Sequence, residues 1–409
     1  LSYSSSISSA EYRRLAVILG ALTAVGPLAI DMYLPALPTI AREFGVDVAS
    51  VQISLASYFA GIAIGQALYG PLSDAVGRKP ALAFGLLVFI ASSIGCAFSE
   101  SVRALIAFRF LQALGGCAPI VIPRAVVRDH FDQVGSIRML SMLMLVMGLA
   151  PILAPLMGGQ LLINFGWRSV FWVLATYALV WLVLVAVLLQ ESLPPERRRR
   201  QSASVVMATY HRLLLDRTYI CYVLSGALIF AGLLTYVSGS PYVFIELFHV
   251  PPERYGLYFG VNACGIMAAS QTNRWLATRV EGRRIVGIVL KVAMAASLVL
   301  LFDAYSGFGG FVGILVPLFF YIACHGFVLP NTTALAMAPH GQVAGSASAL
   351  LGTIQFVLAS AIGAVVSAFT NGTPVPLAAA IAGCGVAAFV SHHVGGRRSA
   401  ASPLAGSAA

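Results

Sequence analysis

Long apolar stretches alternate along this chain with short polar gaps, and each stretch is near the roughly 20 residues needed to cross a bilayer as a helix. The pattern predicts about twelve spans. Their expected limits are Leu15–Leu37, Val51–Leu72, Ala81–Phe98, Val102–Ile122, Met139–Ile163 and Val170–Leu189 in the first half. In the second half they are Tyr219–Phe244, Tyr255–Trp275, Ile285–Phe302, Phe311–Leu329, Val343–Phe369 and Pro376–Val390. The longest gap, Gln190 to Thr218, carries Pro194, Pro195 and the run Arg197 to Arg200, and it leaves six spans on each side. The expected organisation is a six-helix bundle over residues 1–190, a cytoplasmic linker loop over 191–218, a second bundle over 219–395 and a disordered tail over 396–409. The fold class is all-α and integral to the membrane.

Lysine and arginine set the orientation, because cytoplasmic loops carry an excess of them. With the N-terminus inside, the inner segments hold Arg13, Arg14, Arg78, Lys79, Arg124, Arg128, Arg138, Arg197 to Arg200, Arg212, Arg217, Arg274, Arg279, Arg283, Arg284, Arg397 and Arg398. The outer segments hold only Arg42, Arg103, Arg168 and Arg254. Nineteen against four places both termini in the cytoplasm. The same placement explains a net charge of +10 without a nucleic-acid partner. Arg109 and Lys291 fall inside spans.

Composition agrees. The 409 residues are 59% hydrophobic and only 10% charged, whereas soluble chains carry about a quarter charged residues. Too little polar surface exists to cover a water-soluble body. The six cysteines (Cys96, Cys117, Cys221, Cys264, Cys324, Cys384) lie in apolar segments without metal or redox spacing, so buried, unpaired thiols are expected. The first apolar stretch is long enough to span, and no cleavable leader is expected there.

The polar knot Pro71 to Pro80, P-L-S-D-A-V-G-R-K-P, lies between two spans and must sit at a membrane surface. It orders Gly70, Asp74, Gly77, Arg78 and Lys79 into a compact charge set. Asp74 can cap a helix or hold an arginine there, latching the inner mouth, or form a solvated turn. A weak echo, Gly282-Arg283-Arg284, follows the eighth span, with Arg279 in the place of Asp74. Two six-span repeats imply a substrate site between them near the bilayer midplane.

Asp31 is the one acid expected inside a span, and an acid at mid-helix costs about 2.5–3.5 kcal/mol on insertion scales. It faces either a wet cavity or the outer interface. Arg109 is the one arginine deep in a span, with Gln112 on the same helical face. At 1.5 Å per residue both charges lie about 9–10 Å below the outer ends of their spans. A direct or water-bridged ion pair is expected, serving either helix packing or coupling. A carboxyl group balanced between burial and a nearby guanidinium can change protonation as a cavity opens to one side or the other, which a proton-driven carrier requires.

In the fifth span, G-L-A-P-I-L-A-P-L-M-G-G, Pro151 and Pro155 share a face, and Gly158 and Gly159 follow. Prolines bend the span and glycines admit a neighbour, with or without a special role. His325 is either a hydrogen-bonded packing residue or a proton relay. Tyr33, Tyr58, Phe230, Tyr236, Tyr242 and Tyr321 are candidates to line a pocket for aromatic, weakly polar compounds. No metal cluster, phosphate loop or Ser/His/Asp arrangement stands out in the sequence, and no cofactor is expected.

The chain resembles the Bcr/CflA drug-resistance subfamily of the major facilitator superfamily over nearly its whole length, Leu15 to Val390. The marks are D-M-Y-L-P-A-L-P at Asp31 to Pro38, G-Q-A-L-Y-G-P-L-S-D-A-V-G-R-K-P at Gly65 to Pro80, and R-F-L-Q-A-L-G at Arg109 to Gly115. A-P-L-M-G-G at Ala154 to Gly159 is similar to the fifth-helix antiporter motif. E-S-L-P-P-E-R-R at Glu191 to Arg198 and A-G-S-A-S-A-L at Ala344 to Leu350 also match the subfamily. Ala154 replaces the motif's usual Gly, Ala75 a basic residue, and Ala113 the Gly of the fourth-helix pattern. The resemblance implies a single-chain exporter of hydrophobic or amphipathic small molecules from a bacterial cytoplasm, driven by a proton gradient across the inner membrane. Asp31 and Arg109 would handle the proton. Asp31, Tyr33, Tyr58, Gln112, Phe230, Tyr236, Tyr321 and His325 would line the cavity. Gly70, Asp74, Gly77, Arg78 and Lys79 would hold the cytoplasmic gate, and Pro151, Ala154, Pro155, Gly158 and Gly159 the bending seam. The nearest rival is a proton symporter importing a metabolite with the same charges. An intramembrane enzyme lacks clustered nucleophiles or ligands, and a sensor lacks an appended output domain.

Overall fold

The computed structural model describes residues 9–131, 133–198 and 203–399. Fourteen α-helices and no strand occur among these described residues. The first bundle contains α1 (Ser9–Asp31), the short α2 (Leu37–Phe44), α3 (Val48–Val76), α4 (Arg78–Ala97), α5 (Val102–His130), α6 (Gln133–Phe165) and α7 (Arg168–Leu188). Next comes α8 (Ala203–Leu215). The second bundle contains α9 (Arg217–Pro241), α10 (Pro252–Leu276), α11 (Gly282–Ser306), α12 (Gly310–Met337), α13 (Ala344–Ala368) and α14 (Val375–Ser399). The helices start and stop where local chemistry dictates. Asp47, Ser101 and Asp216 accept main-chain N–H bonds at the starts of α3, α5 and α9. Gly45 and Gly307 end α2 and α11 at left-handed φ values of 64° and 69°.

The molecule is a pair of pseudo-symmetric six-helix halves. In the first, α5 packs on α1, α3 and α4; in the second, α12 packs on α9, α10 and α11. The halves meet along two seams, α3 with α13 and α6 with α10. With no water available between apolar helices, close approach and hydrogen bonds hold such seams. Ser360 Oγ donates to the Ala56 carbonyl at 2.7 Å and Thr353 Oγ1 to that of Ala63 at 3.3 Å. Phe59 meets Phe356 at 6.2 Å between ring centres. Across the other seam, a Cβ on Gly256 would lie 2.8 Å from the Leu156 nitrogen.

Several expectations change. The first span does not end at Leu37. The chain bends through Met32–Ala36 and continues as α2 to Phe44, so Asp31 lies 13 residues, not six, from the span's outer end. Pro35 and Pro38 occupy a tight turn and the next helix's first turn, where a missing N–H does no harm. Asp74 is not in a loop: α3 runs through it to Val76, and Gly77 is the only residue between α3 and α4. Its φ of 107° is one that side-chain-bearing residues rarely adopt. The linker is not all loop, since it contains α8, and α14 continues through residues 396–399 of the expected tail; residues 400–409 lie outside the described residues. The seventh span ends in a π-helical turn, Tyr242–Leu247.

Eleven helical segments among the described residues are long and apolar enough to cross a membrane. The remaining expected span, the eighth, is the 25-residue α10, which carries Asn262, Gln271, Thr272 and Asn273 and is held between α6 and α12. All six cysteines are free, but Cys264 on α10 is exposed and Cys221 on α9 only partly buried.

Candidate functional site

Asp31 closes α1 at the bend, with only 5% of its surface exposed. The bend touches α6 on its own side and α9 and α10 of the second half. Asp31 therefore sits where the halves meet, near Tyr58 of the first half and Tyr236 and Tyr255 of the second. Two separate sequence motifs converge here. Gly158 of α6 presses on the Met32 backbone, where a Cβ would collide with the carbonyl group. Gly159 faces the start of α10, where a Cβ would lie 3.0 Å from the Pro252 carbonyl oxygen. Pro151 and Pro155 both lie within a continuous α6, and Ala154 between them is fully buried.

Arg109 does not pair with Asp31, and no ion pair among the described residues includes either one. The guanidinium is turned into the first bundle instead. Its Nη1 donates to the Ala29 carbonyl at 3.0 Å and to Gln112 Oε1 at 2.6 Å. Tyr58 and Tyr33 cover it, with ring centres 4.2 and 4.6 Å away, and Phe171 stands at 5.9 Å. A delocalised, weakly hydrated cation tolerates such a cage better than an ammonium would. Gln112 Nε2 donates to Ser93 Oγ at 2.7 Å, and the Tyr33 hydroxyl bonds Ser54 Oγ at 2.9 Å. Tyr33, Tyr58 and Gln112, expected at the cavity, are fully enclosed around Arg109. The link between Arg109 and the Asp31 segment is the Ala29 carbonyl, two residues before the acid.

Beside the expected Tyr236, the second half contributes Asn262, Ser240 and Tyr255, which the sequence reading missed. Asn262 Nδ2 donates to the Tyr236 hydroxyl at 2.9 Å, and Ser240 Oγ bonds the Tyr255 hydroxyl at 2.8 Å. All four residues are buried. The available signals were the i, i+4 pairing of Tyr236 with Ser240 on one face and an asparagine inside a span. Tyr236 stacks on Phe259 at 5.5 Å. Deeper along the seam, His325 meets Phe230 at 5.8 Å, and Phe230 meets Phe356 at 5.1 Å. The Tyr321 hydroxyl and His325 Nδ1, one turn apart on α12, are buried without hydrogen-bond partners among the described residues. The structure thus brings Phe230 and His325 together and puts Tyr321 against Gly232 of α9. Tyr242 lies apart, in the π-helical turn.

At the far end of α3, the knot residues converge as their spacing suggests, yet all their partners belong to the first bundle and the linker entry. Arg78 Nη1 bonds Asp74 at 2.5 Å and Ser73 Oγ at 2.8 Å, and Nε bonds Asp129 of α5 at 3.0 Å. Glu191 accepts from the main-chain nitrogens of Arg78 and Lys79 at 2.9 and 3.2 Å, capping α4. Lys79 Nζ reaches the Ala186 carbonyl at 2.7 Å. Gly77 admits this carboxylate, since a Cβ there would lie 2.5 Å from Glu191 Oε2. Gly70 is open on the side where a Cβ would point. At the corresponding corner of the second half the buried pair is neutral: Asn331 Nδ2 donates to Asn273 Oδ1 at 2.7 Å, beside Gly282.

Comparison with known proteins places this geometry. The family model for the Major Facilitator Superfamily matches residues 19–364. An uncharacterized MFS-type transporter of Bacillus subtilis, YdgK, is 36% identical over 90% of this chain and 92% of its own length. A bicyclomycin resistance protein homolog of Haemophilus influenzae is 28% identical over 92% and 94%. The multidrug resistance protein MdtL of Escherichia fergusonii is 30% identical over 82% and 83%. Among solved structures, the xylose transporter XylE from E. coli, partially occluded and inward open, aligns with a TM-score of 0.72 at 13% identity over 93% of this chain and 97% of that one. A peptide transporter POT bound to sulfate aligns with a TM-score of 0.74 at 16% identity over 95% and 94%.

Proposed function

Because this chain belongs to the Major Facilitator Superfamily, and is thus a multi-pass transport protein and not an enzyme, we propose that it exports hydrophobic or amphipathic small molecules in exchange for protons by alternating access. The resistance names of two relatives support the export direction and the substrate class. The observation that carries the reading is the position of Asp31: an acid buried at a bend where the halves meet, with no cation paired to it among the described residues. Rocking of the halves about the seams changes what Asp31 faces, so its proton can be taken from one side and released to the other. Arg109 couples this event to α5 through the Ala29 carbonyl. The aromatic path Phe230, Phe356 and His325 offers ring faces to an apolar substrate. The cluster of Asp74, Arg78, Lys79, Asp129 and Glu191 stiffens the cytoplasmic mouth of the first half. The carrier works as a single chain in the bacterial inner membrane, with both termini cytoplasmic and the proton gradient as its only energy source.

The test is transport in proteoliposomes loaded with a fluorescent hydrophobic cation under an imposed pH gradient. Substrate should move opposite to protons. Movement of substrate with the protons would replace this reading by a metabolite symporter.

A further inference from the structure

Helix α11 has two sharply different sides. Ile285, Val286, Leu290, Ala293, Ser297 and Leu300 are buried, and the helix packs on α12 and α14. The other side is exposed at Ile288 (53%), Val292 (46%), Leu298 (45%) and Phe302 (64%), the spacing of a stripe that faces acyl chains. Two cations interrupt this stripe. Arg284 and Lys291 are both exposed, and they lie seven residues apart, hence on one face about 10 Å apart along the axis. Lys291 is nine residues into the span from Gly282, about 13 Å below the membrane face on which α10 turns into α11.

An ammonium at that depth does not stay in hydrocarbon. Side chains on a helix lean toward its N-terminus, so the four-carbon stem of Lys291 reaches back in the direction of Arg284. Because α11 begins at this membrane face, the lean carries the ammonium toward the headgroups and toward the guanidinium. Neither cation forms an ion pair among the described residues. Glu281, three residues before Arg284, bonds it only through the main chain, its carbonyl accepting from the Arg284 N–H at 2.9 Å. Two exposed cations on one face, set at the headgroup end of an apolar strip, match one kind of partner, with a phosphate at one end and hydrocarbon along the rest.

We propose that Arg284 and Lys291 hold the phosphate of an anionic glycerophospholipid, with its acyl chains lying along Ile288, Val292, Leu298 and Phe302. The site depends on the chain spanning a membrane and not on what it transports. Each basic contact near a membrane surface is worth about a five-fold preference for an anionic lipid.

The full chain in nanodiscs of equal phosphatidylcholine and phosphatidylglycerol tests this, with the lipids retained after release counted by native mass spectrometry. The wild-type chain should retain phosphatidylglycerol over phosphatidylcholine. Lys291→Met should lower that ratio about five-fold, Lys291→Arg should keep it, and Arg284→Gln should reduce it (methionine at a lipid-facing position leaves the packed side of α11 untouched). Arg254→Gln, a cation removed elsewhere, should leave it unchanged. The proposal is overturned by a Lys291→Met ratio equal to wild type, by a wild-type chain without preference, or by an Arg254→Gln loss as large as that of Lys291→Met.

Discussion

Gly158 on α6 lies against the main chain of Met32, the residue after Asp31, and no side chain larger than hydrogen fits between them. A segment of the fifth span is thereby fitted to the bend that carries the buried acid. The fit joins two motifs that lie well over one hundred residues apart in sequence, and it makes the α6 backbone the floor on which that bend rests.

Gly158→Val should therefore reduce proton-driven transport at least ten-fold, because α6 and the bend can no longer touch. Gly159→Ala meets the Pro252 carbonyl oxygen at 3.0 Å, a contact that a small shift of α10 relieves, and should cost only a few-fold. Initial rates in proteoliposomes, normalised to the amount of folded protein, distinguish them. Equal effects would mean that the two glycines serve general packing.

Asp31→Asn keeps the size and polarity of the side chain but removes its proton. Uphill efflux driven by a pH gradient should vanish, while downhill equilibration of substrate should persist at a measurable rate. Undiminished uphill efflux would remove Asp31 from the coupling mechanism.

Arg109→Lys replaces a forked donor by a point charge in a dry cage. The ammonium cannot serve the Ala29 carbonyl and Gln112 while also lying flat against Tyr33 and Tyr58. Losing one hydrogen bond and part of the ring contact should cost about 2 kcal/mol. Thermal unfolding in detergent should show a clear fall in midpoint, and an unchanged midpoint would contradict the cage.

Glu191→Gln weakens the cap on α4, since a neutral amide presents one acceptor oxygen to the three main-chain nitrogens that the carboxylate serves. The linker entry should loosen, and limited proteolysis between α7 and α8 should accelerate about five-fold, the equivalent of about 1 kcal/mol. Asp74→Asn should slow turnover more than it weakens substrate binding, which steady-state transport at several substrate concentrations measures.

Much of the architecture was legible in the sequence. Bilayer thickness fixes span length, and apolar runs of that length announce themselves, so the order of the spans, and which of them carry Asp31 and Arg109, followed directly. The outer end of the first span was not legible. Pro35 and Pro38 look like a stop, and only packing shows the chain resuming as α2. Of the partners of Arg109, Gln112 was legible as a neighbour on the same helical face, but the others were not. Equal depth on two helices suggested a pair with Asp31, but depth says nothing of azimuth, and the guanidinium turned to the Ala29 carbonyl and the aromatic rings. Glu191 was visible only as part of a family pattern, because a cap made across more than one hundred residues leaves no local trace. The polar groups of α10 escaped notice because each, taken alone, resembles an ordinary helix residue.

The joint between α3 and α4 is a single glycine, with its φ at 107°. A connection that short has no slack, so a tilt of α3 is handed to α4 almost undiminished, as through a crank. Lengthening it by a few flexible residues would slacken that crank and leave only the side-chain bonds of Arg78 to Asp74 and Ser73 to carry the load.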